Sequence, residues 1–333
     1  MEPVQSARFG PVTVYFGDKS GKYPDGNQVV VRGADAVVAF DTPLVANRLA
    51  ATLQQADLVI LGHVHEDHMA GLHLLPHTPV HVHEADLAAA RSWEGLSRHY
   101  GYAQAVVDAM RPQIERAFHY VPRPDAIGYA DGAVWELGGG VRVRAQHLPG
   151  HTAGHCALLV EPDGIAFIGD IDLSGFGPYY GDAASSLADF RRSLRRLPEL
   201  PARVWITSHH KGVVTDRAAF LDLLAAFAGR LDEREARLLQ MLEAGPRTLA
   251  ELARQRLLYP PHATDVWTDS AEARSIEQHL ADIDDAETAL AARSAKLTGS
   301  LKVTPMDQGI AKLGARAHAH GAECAHASHR CGG

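Results

Sequence analysis

The chain has 333 residues, 46% hydrophobic and 22% charged, the balance of a globular protein with room for one large domain and a small one. A formal net charge of −8 argues against a nucleic-acid partner, which wants a basic face, and no apolar run approaches a membrane span. Three cysteines (Cys156, Cys324, Cys331) are too few for a disulfide framework, and Met1 to Gly10 shows no secretory leader, so a cytoplasmic protein is expected.

Short β-rich runs open the chain: Val12 to Phe16, Val29 to Val31 and Val37 to Phe40, separated by Gly, Pro and Asp turn signals. Residues 44–55 read as an amphipathic helix and 57–62 as a buried strand. A helix is expected from Asp67 to about Leu75, then a strand at Val80 to Val82. Residues 84–117 are Ala-rich and helix-patterned, a helical insertion carrying Trp93, Tyr100 and Tyr102. Strands resume at Ala133 to Leu137, Val141 to Ala145, Ala157 to Val160 and Ile165 to Ile168. Gly138-Gly139-Gly140 lies between two of them and reads as a hairpin turn rather than a phosphate cradle. Ser186 opens a helix that ends at Pro198, and Val204 to Thr207 is a further strand. From Thr215 the chain is helical, with a capping box at Thr248 to Glu251 and a second such pattern at Asp269 to Glu272.

These signals divide the chain into a catalytic domain (1–231), a small helical, winged-helix-like domain (232–298) and a tail (299–333) that reads as disordered. The tail holds His318, His320, Cys324, His326, His329 and Cys331, whose spacing matches no zinc-finger pattern and reads as a weak metal-binding stretch.

The 20 histidines are the unusual number, and His63-Val64-His65-Glu66-Asp67-His68 is where they concentrate. The cluster follows a strand. If the chain stays extended, His63 and His65 point the same way, and the helix expected to begin at Asp67 turns Asp67 and His68 toward the same point. Imidazole and carboxylate groups suit zinc, iron, manganese or nickel. Three more candidates lie where strands end: His151 in Pro149-Gly150-His151-Thr152, Asp170 after Ile168-Gly169, and His209-His210 after Ser208.

Together with Phe40-Asp41-Thr42, these five motifs in this order resemble the metallo-β-lactamase superfamily, the glyoxalase II-like hydrolases, over roughly residues 10–215. The resemblance implies an α+β fold: an αββα sandwich of two mixed sheets flanked by helices. It also implies two divalent ions, zinc foremost with iron or manganese as alternatives. His63, His65 and His151 resemble the ligands of one ion, and Asp67, His68 and His209 those of the other. Asp170 resembles the bridging carboxylate and Asp41 an outer support. His209 is preferred over His210 as the residue nearer the strand end.

Among the neighbours, Glu66 reads as a solvated loop residue, His155 as polar packing beside the site, and Asp172 as a cleft or turn residue. Tyr179, Tyr180, Trp93 and Tyr100 are candidate substrate contacts. The implied chemistry is hydrolysis of a thioester, lactone or other carboxylic ester, a small-molecule substrate, by a hydroxide held between two ions, with Asp67 orienting it and Asp170 bridging. Two alternatives stay open: a persulfide dioxygenase with one iron on the same fold, and a non-catalytic metal-binding regulator. The His-x-His motif departs from the His-x-Glu of flavodiiron oxygen reductases. Oligomeric state is left open, a homo-oligomer included.

Overall fold

The computed structural model describes residues 3–298 except 244 and 246; the His/Cys-rich tail lies outside the described residues. Thirteen strands form two sheets among those residues. The first sheet is built from β1 (Ser6–Phe9), β2 (Val12–Tyr15), β3 (Gln28–Arg32), β4 (Val37–Phe40), β5 (Leu58–Leu61), β6 (Val80–His83) and β7 (Ile127–Tyr129), in that spatial order. Its first four strands pair antiparallel and the rest parallel.

The second sheet contains β8 (Val134–Glu136), β9 (Arg142–His147), β10 (Cys156–Glu161), β11 (Ile165–Phe167), β12 (Val204–Ile206) and β13 (Val213–Val214), in the same running order. All neighbours are antiparallel except β11 and β12. The turn between β8 and β9 is the triple glycine, with φ of 78°, 63° and 80° at Gly138, Gly139 and Gly140. Three consecutive left-handed residues are a conformation that glycine alone adopts without strain.

Side-chain alternation makes the layers. On β5, Ile60 faces the core between the sheets while Val59 and Leu61 face outward; on β10, Leu158 and Val160 face in while Ala157 and Leu159 face out. Each outward face is covered by helices. Over the first sheet lie α1 (Leu87–Arg91), α2 (Trp93–Tyr100) and α3 (Gln104–Ala117), which contribute Leu96, Met110 and Ile114. Over the second lie α4 (Leu187–Arg196), α5 (Arg217–Glu243), α6 (Leu249–Arg254) and α7 (Thr268–Thr298), with Phe190, Phe220, Phe227 and Ile276. The result is the αββα sandwich. No helix among the described residues is long and apolar enough to cross a membrane.

Some local expectations do not hold. Residues 67–75 form two short 3-10 turns, Glu66–His68 and Leu72–Leu74, in place of one α-helix. Thr42 is the reason: its amide takes the His68 carbonyl and its carbonyl takes the Gly71 amide, both at 2.8 Å, so the groups a helix needs are already engaged. The Thr248–Glu251 capping box forms with both reciprocal bonds. Asp269, by contrast, already lies inside α7, and Glu272 is buried, accepting the amides of Leu257, Leu258 and Tyr259 in the loop after α6. The boundary drawn at 231/232 falls inside α5, and Leu238, Leu252 and Ile276 share one core cluster with the outer face of the second sheet.

Candidate metal centre

Each functional side chain sits just past a strand end, at one rim of the sandwich. After β5, His65 keeps extended backbone (φ −136°, ψ 165°), and the His63 and His65 rings come together with centroids 5.2 Å apart. The 3-10 turn then brings Asp67 and His68 to the same side. After β9, Gly150 at φ +136° lets the chain pass close against Phe190, whose backbone would collide with any Cβ at this position, and His151 follows. After β11 comes Asp170, and after β12 His209.

These residues form two groups. His63, His65 and His151 make one, and Asp67, His68 and His209 the other, with ligand atoms in each within 4.8 Å of one another. Asp170 stands between them. Its Oδ2 lies 3.3 Å from His151 Nε2 and 4.0 Å from His63 Nε2, and its Oδ1 lies 3.1 Å from His68 Nε2 and 3.5 Å from His209 Nε2.

Ring tautomers follow from what the other nitrogen touches. His68 Nδ1 donates to Asp41 at 2.8 Å, His209 Nδ1 to the Gly21 and Asp25 carbonyls at 2.8 Å, and His151 Nδ1 to the Tyr179 carbonyl at 3.1 Å. Each turns its Nε2 into the centre. His65 is turned the other way: Nε2 lies 2.9 Å from Asp182, and Nδ1 faces His151 Nε2 at 3.0 Å.

Burial and charge act together here. Burial opposes the charge on Asp170, but the facing His68, His209 and His63 rings overcome it and hold the carboxyl well below its usual range. Burial drives His63 well below its ordinary value. His155 is likewise pushed down to about 3 by burial, and as a neutral ring it donates to the Leu148 carbonyl and accepts the Asp170 amide. It is packing beside the centre.

The donor set fits divalent metal ions. Both His63 nitrogens, His68 Nε2, His209 Nε2 and Asp170 Oδ1 are buried without a hydrogen-bond partner, a costly arrangement unless a cation takes those lone pairs. Two ligand atoms about 2.0–2.1 Å from a tetrahedral zinc lie about 3.4 Å apart. The pairs His65–His151 (3.0 Å), Asp67–His209 (3.0 Å) and His68–Asp67 (3.6 Å) bracket that spacing.

A cavity of about 500 Å³ opens above the two groups. Of the four candidate substrate contacts, Tyr100 from α2 and Tyr179 line it. Trp93 and Tyr180 do not. Trp93 begins α2, seven residues and about 10 Å along the helix from Tyr100, and packs on Tyr120 in the core. Tyr180 points away from its neighbour Tyr179, into the helices, where its hydroxyl pairs with His279 at 2.8 Å.

Glu66 is not a solvated loop residue: it lines the cavity and accepts the Tyr100 hydroxyl at 2.6 Å and the Tyr23 hydroxyl at 3.3 Å. Asp172 also lines it, with His210 at 3.5 Å. Sequence reasoning missed Asp182, Asp86, Tyr259 and Trp267. Asp86 is wholly buried and joins the two halves of the first group, accepting the Val64 amide, the Thr152 hydroxyl and the Gly154 amide.

A two-sheet sandwich whose strand ends gather two His/Asp groups about one carboxylate defines an αββα protein with a centre of metal-ligand type. The family model of the metallo-beta-lactamase superfamily matches residues 26–209, more than half of the chain, and the chain belongs to that superfamily. Among solved structures it is similar to a metallo-beta-lactamase family protein from Thermus thermophilus, with 27% identity, TM-score 0.58, and 79% of this chain and 89% of that one covered. A beta-lactamase domain protein from Burkholderia ambifaria shares the fold at 18% identity and TM-score 0.56, covering 83% of this chain and 88% of that one.

Two curated relatives bear the name atrochrysone carboxyl ACP thioesterase. The one from Aspergillus terreus is 34% identical over 120 residues, 35% of this chain and 34% of its own length. The one from Aspergillus fumigatus is 24% identical over 228 residues, 67% of this chain and 45% of its own length. The chain thus spans less than half the length of the curated relatives it matches.

Proposed function

We propose that the protein is a metal-dependent hydrolase that cleaves thioesters through a centre of two divalent ions, zinc foremost. The observation that carries this reading is Asp170, set between two three-residue groups on the floor of an aromatic cavity. Ions held there would lower the pKa of a water toward about 7 and polarise a carbonyl oxygen. His63, His65 and His151 would hold one ion, Asp67, His68 and His209 the other, with Asp170 shared.

The chain's own groups do the rest. Asp67 is kept ionised against the cost of burial by His68 and His209, and its carboxylate would help hold an ion and orient an attacking water. Tyr100, Tyr102 and Tyr179 line the cavity and spend their hydroxyls on Glu66 and Asp182, leaving ring surface to hold an acyl group and exclude bulk water. Lys22 lines both this cavity and a neighbouring groove in which Arg48 is paired with Asp18 and Asp25.

One feature supports thioesters over other esters: the names of the two Aspergillus relatives. The persulfide dioxygenase alternative needs one iron, and the complete Asp67/His68/His209 group argues against it. The deciding experiment combines elemental analysis of the purified protein with thiol release from a panel of acyl thioesters. Two zinc-like ions per chain with thiol release would support the proposal. One iron per chain with oxygen uptake and no thiol release would overturn it, and metal without turnover of any ester would favour a regulator.

A further inference from the structure

The two groups are tethered by different parts of the chain. In the Asp67/His68/His209 group, His68 is held by Asp41, and His209 by the carbonyls of Gly21 and Asp25. In the His63/His65/His151 group, Asp86 ties the backbones together, while the outer partners of the His65 and His151 rings come from residues 179–185. The Tyr179 carbonyl takes His151 Nδ1, Ser185 Oγ donates to the His151 carbonyl at 2.7 Å, and Asp182 takes His65 Nε2.

Asp182 is almost fully buried, and each of its oxygens is engaged. Oδ2 faces His65, while Oδ1 accepts the hydroxyls of Tyr102 and Tyr179. The segment that carries it is fastened from two sides. The insertion supplies the carbonyls of His99 and Tyr100 to the amides of Ala184 and Ala183. From the C-terminal helices, Arg234 binds the carbonyls of Phe176 and Pro178, and Gln278 binds that of Tyr180 at 2.8 Å.

We propose that Asp182 is the positioning residue of His65, and that segment 176–185 thereby sets the metal affinity of the His63/His65/His151 group independently of the other group. This rests on the metal part of the reading above and not on its thioester part. Unlike His68, His151 and His209, His65 faces its group through Nδ1, which requires the proton on Nε2. An acceptor fixed on Nε2–H selects that tautomer and stops the ring from turning, and loss of such an outer partner typically costs 10–100-fold in metal affinity. The C-terminal helices then have a reason to clasp the segment: through Arg234 and Gln278 they hold the Asp182 carboxylate in place.

The test uses the full-length protein, stripped and reloaded with Zn²⁺ alone, in competition with a chromophoric chelator. Asp182→Ala should weaken one zinc equivalent about 10–100-fold and leave the other unchanged. Asp182→Asn, whose amide oxygen still accepts from Nε2–H, should recover most of the loss. Titration with Co²⁺ should show altered visible bands for one equivalent only. If the alanine variant does not fold, Asp182→Glu decides, because it keeps the charge but displaces it by one methylene and should weaken the same single equivalent. Equal weakening of both equivalents, or of neither, would overturn this proposal alone. A wild-type chain that holds no zinc would overturn the metal reading and this proposal with it.

Discussion

Asp41 meets His68 with one carboxylate oxygen 2.8 Å from Nδ1 while its other oxygen accepts the Gly62 amide at 2.7 Å. One buried side chain thus fixes both the tautomer of the His68 ring and the start of the loop that carries the cluster. Asp41 sits at φ +52°, a region that costs a non-glycine residue free energy and is kept where the surroundings dictate it.

Asp41→Ala should therefore lower metal affinity in the Asp67/His68/His209 group by about 10–100-fold. It should also destabilise the fold, since a buried amide loses a charged acceptor, at a cost of about 1–3 kcal/mol. Chelator competition and denaturant unfolding of the metal-free protein separate the two effects. Unchanged affinity in both groups would show that His68 needs no outer support.

His209 and His210 are sequence neighbours with different surroundings. His209 Nε2 is buried, 3.0 Å from Asp67 and 3.5 Å from Asp170, whereas His210 is half-buried and faces Asp172. His209→Ala should cost more metal affinity than loss of an outer partner does, at least about 100-fold, and His210→Ala less than about ten-fold. The reverse ranking would move the assignment by one residue.

In the metal-free protein His65 lies at about 9 and His209 at about 10. Burial opposes the charge in each, but Asp182 overcomes it for the first, and Asp170 and Asp67 for the second. Both values exceed the ordinary 6.5, so protonation favours the folded state. That contribution is complete below pH 6.5 and disappears as pH rises through 9 to 10. Calorimetry of the stripped protein should show Tm falling over that range. Zinc uptake at pH 7 should release protons, seen as a buffer-dependent heat, and uptake without proton release would contradict the assignment.

The two His/Asp groups were legible because their residues sit at strand ends, where an apolar run stops and a His or Asp follows. His63, His151, Asp170 and His209 all carry that local mark. Asp182 carries none: its role depends on a loop returning to His65 across 117 positions. Glu66 was misread for the same reason, since the tyrosines that bury it come from residues 23 and 100. The Asp269–Glu272 pattern shows the opposite failure, a local motif overridden when the loop after α6 presented three free amides to Glu272. Strands β1, β7 and β13 escaped notice because short edge-side strands bury too few residues to show a run.

Specificity should follow the residues that reach the cavity and not the aromatic content of the insertion. Tyr100 lines the cavity from α2, and Tyr259 and Trp267 line it from the segment between α6 and α7, whereas Trp93 packs in the core against Tyr120. Trp93→Ala should cost about 3–5 kcal/mol of stability with the ranking of substrates unchanged. Trp267→Ala and Tyr259→Ala should keep bound metal and near-normal stability but raise KM for bulky acyl thioesters more than for acetyl ones. The reason is contact area: burial is worth about 25 cal/mol per Å², so a large acyl group loses more when a wall residue is removed. A panel of thioesters graded in acyl size, assayed by thiol release, reads this directly. A uniform fall in rate across the panel would mean that Tyr259 and Trp267 support the fold without touching the substrate.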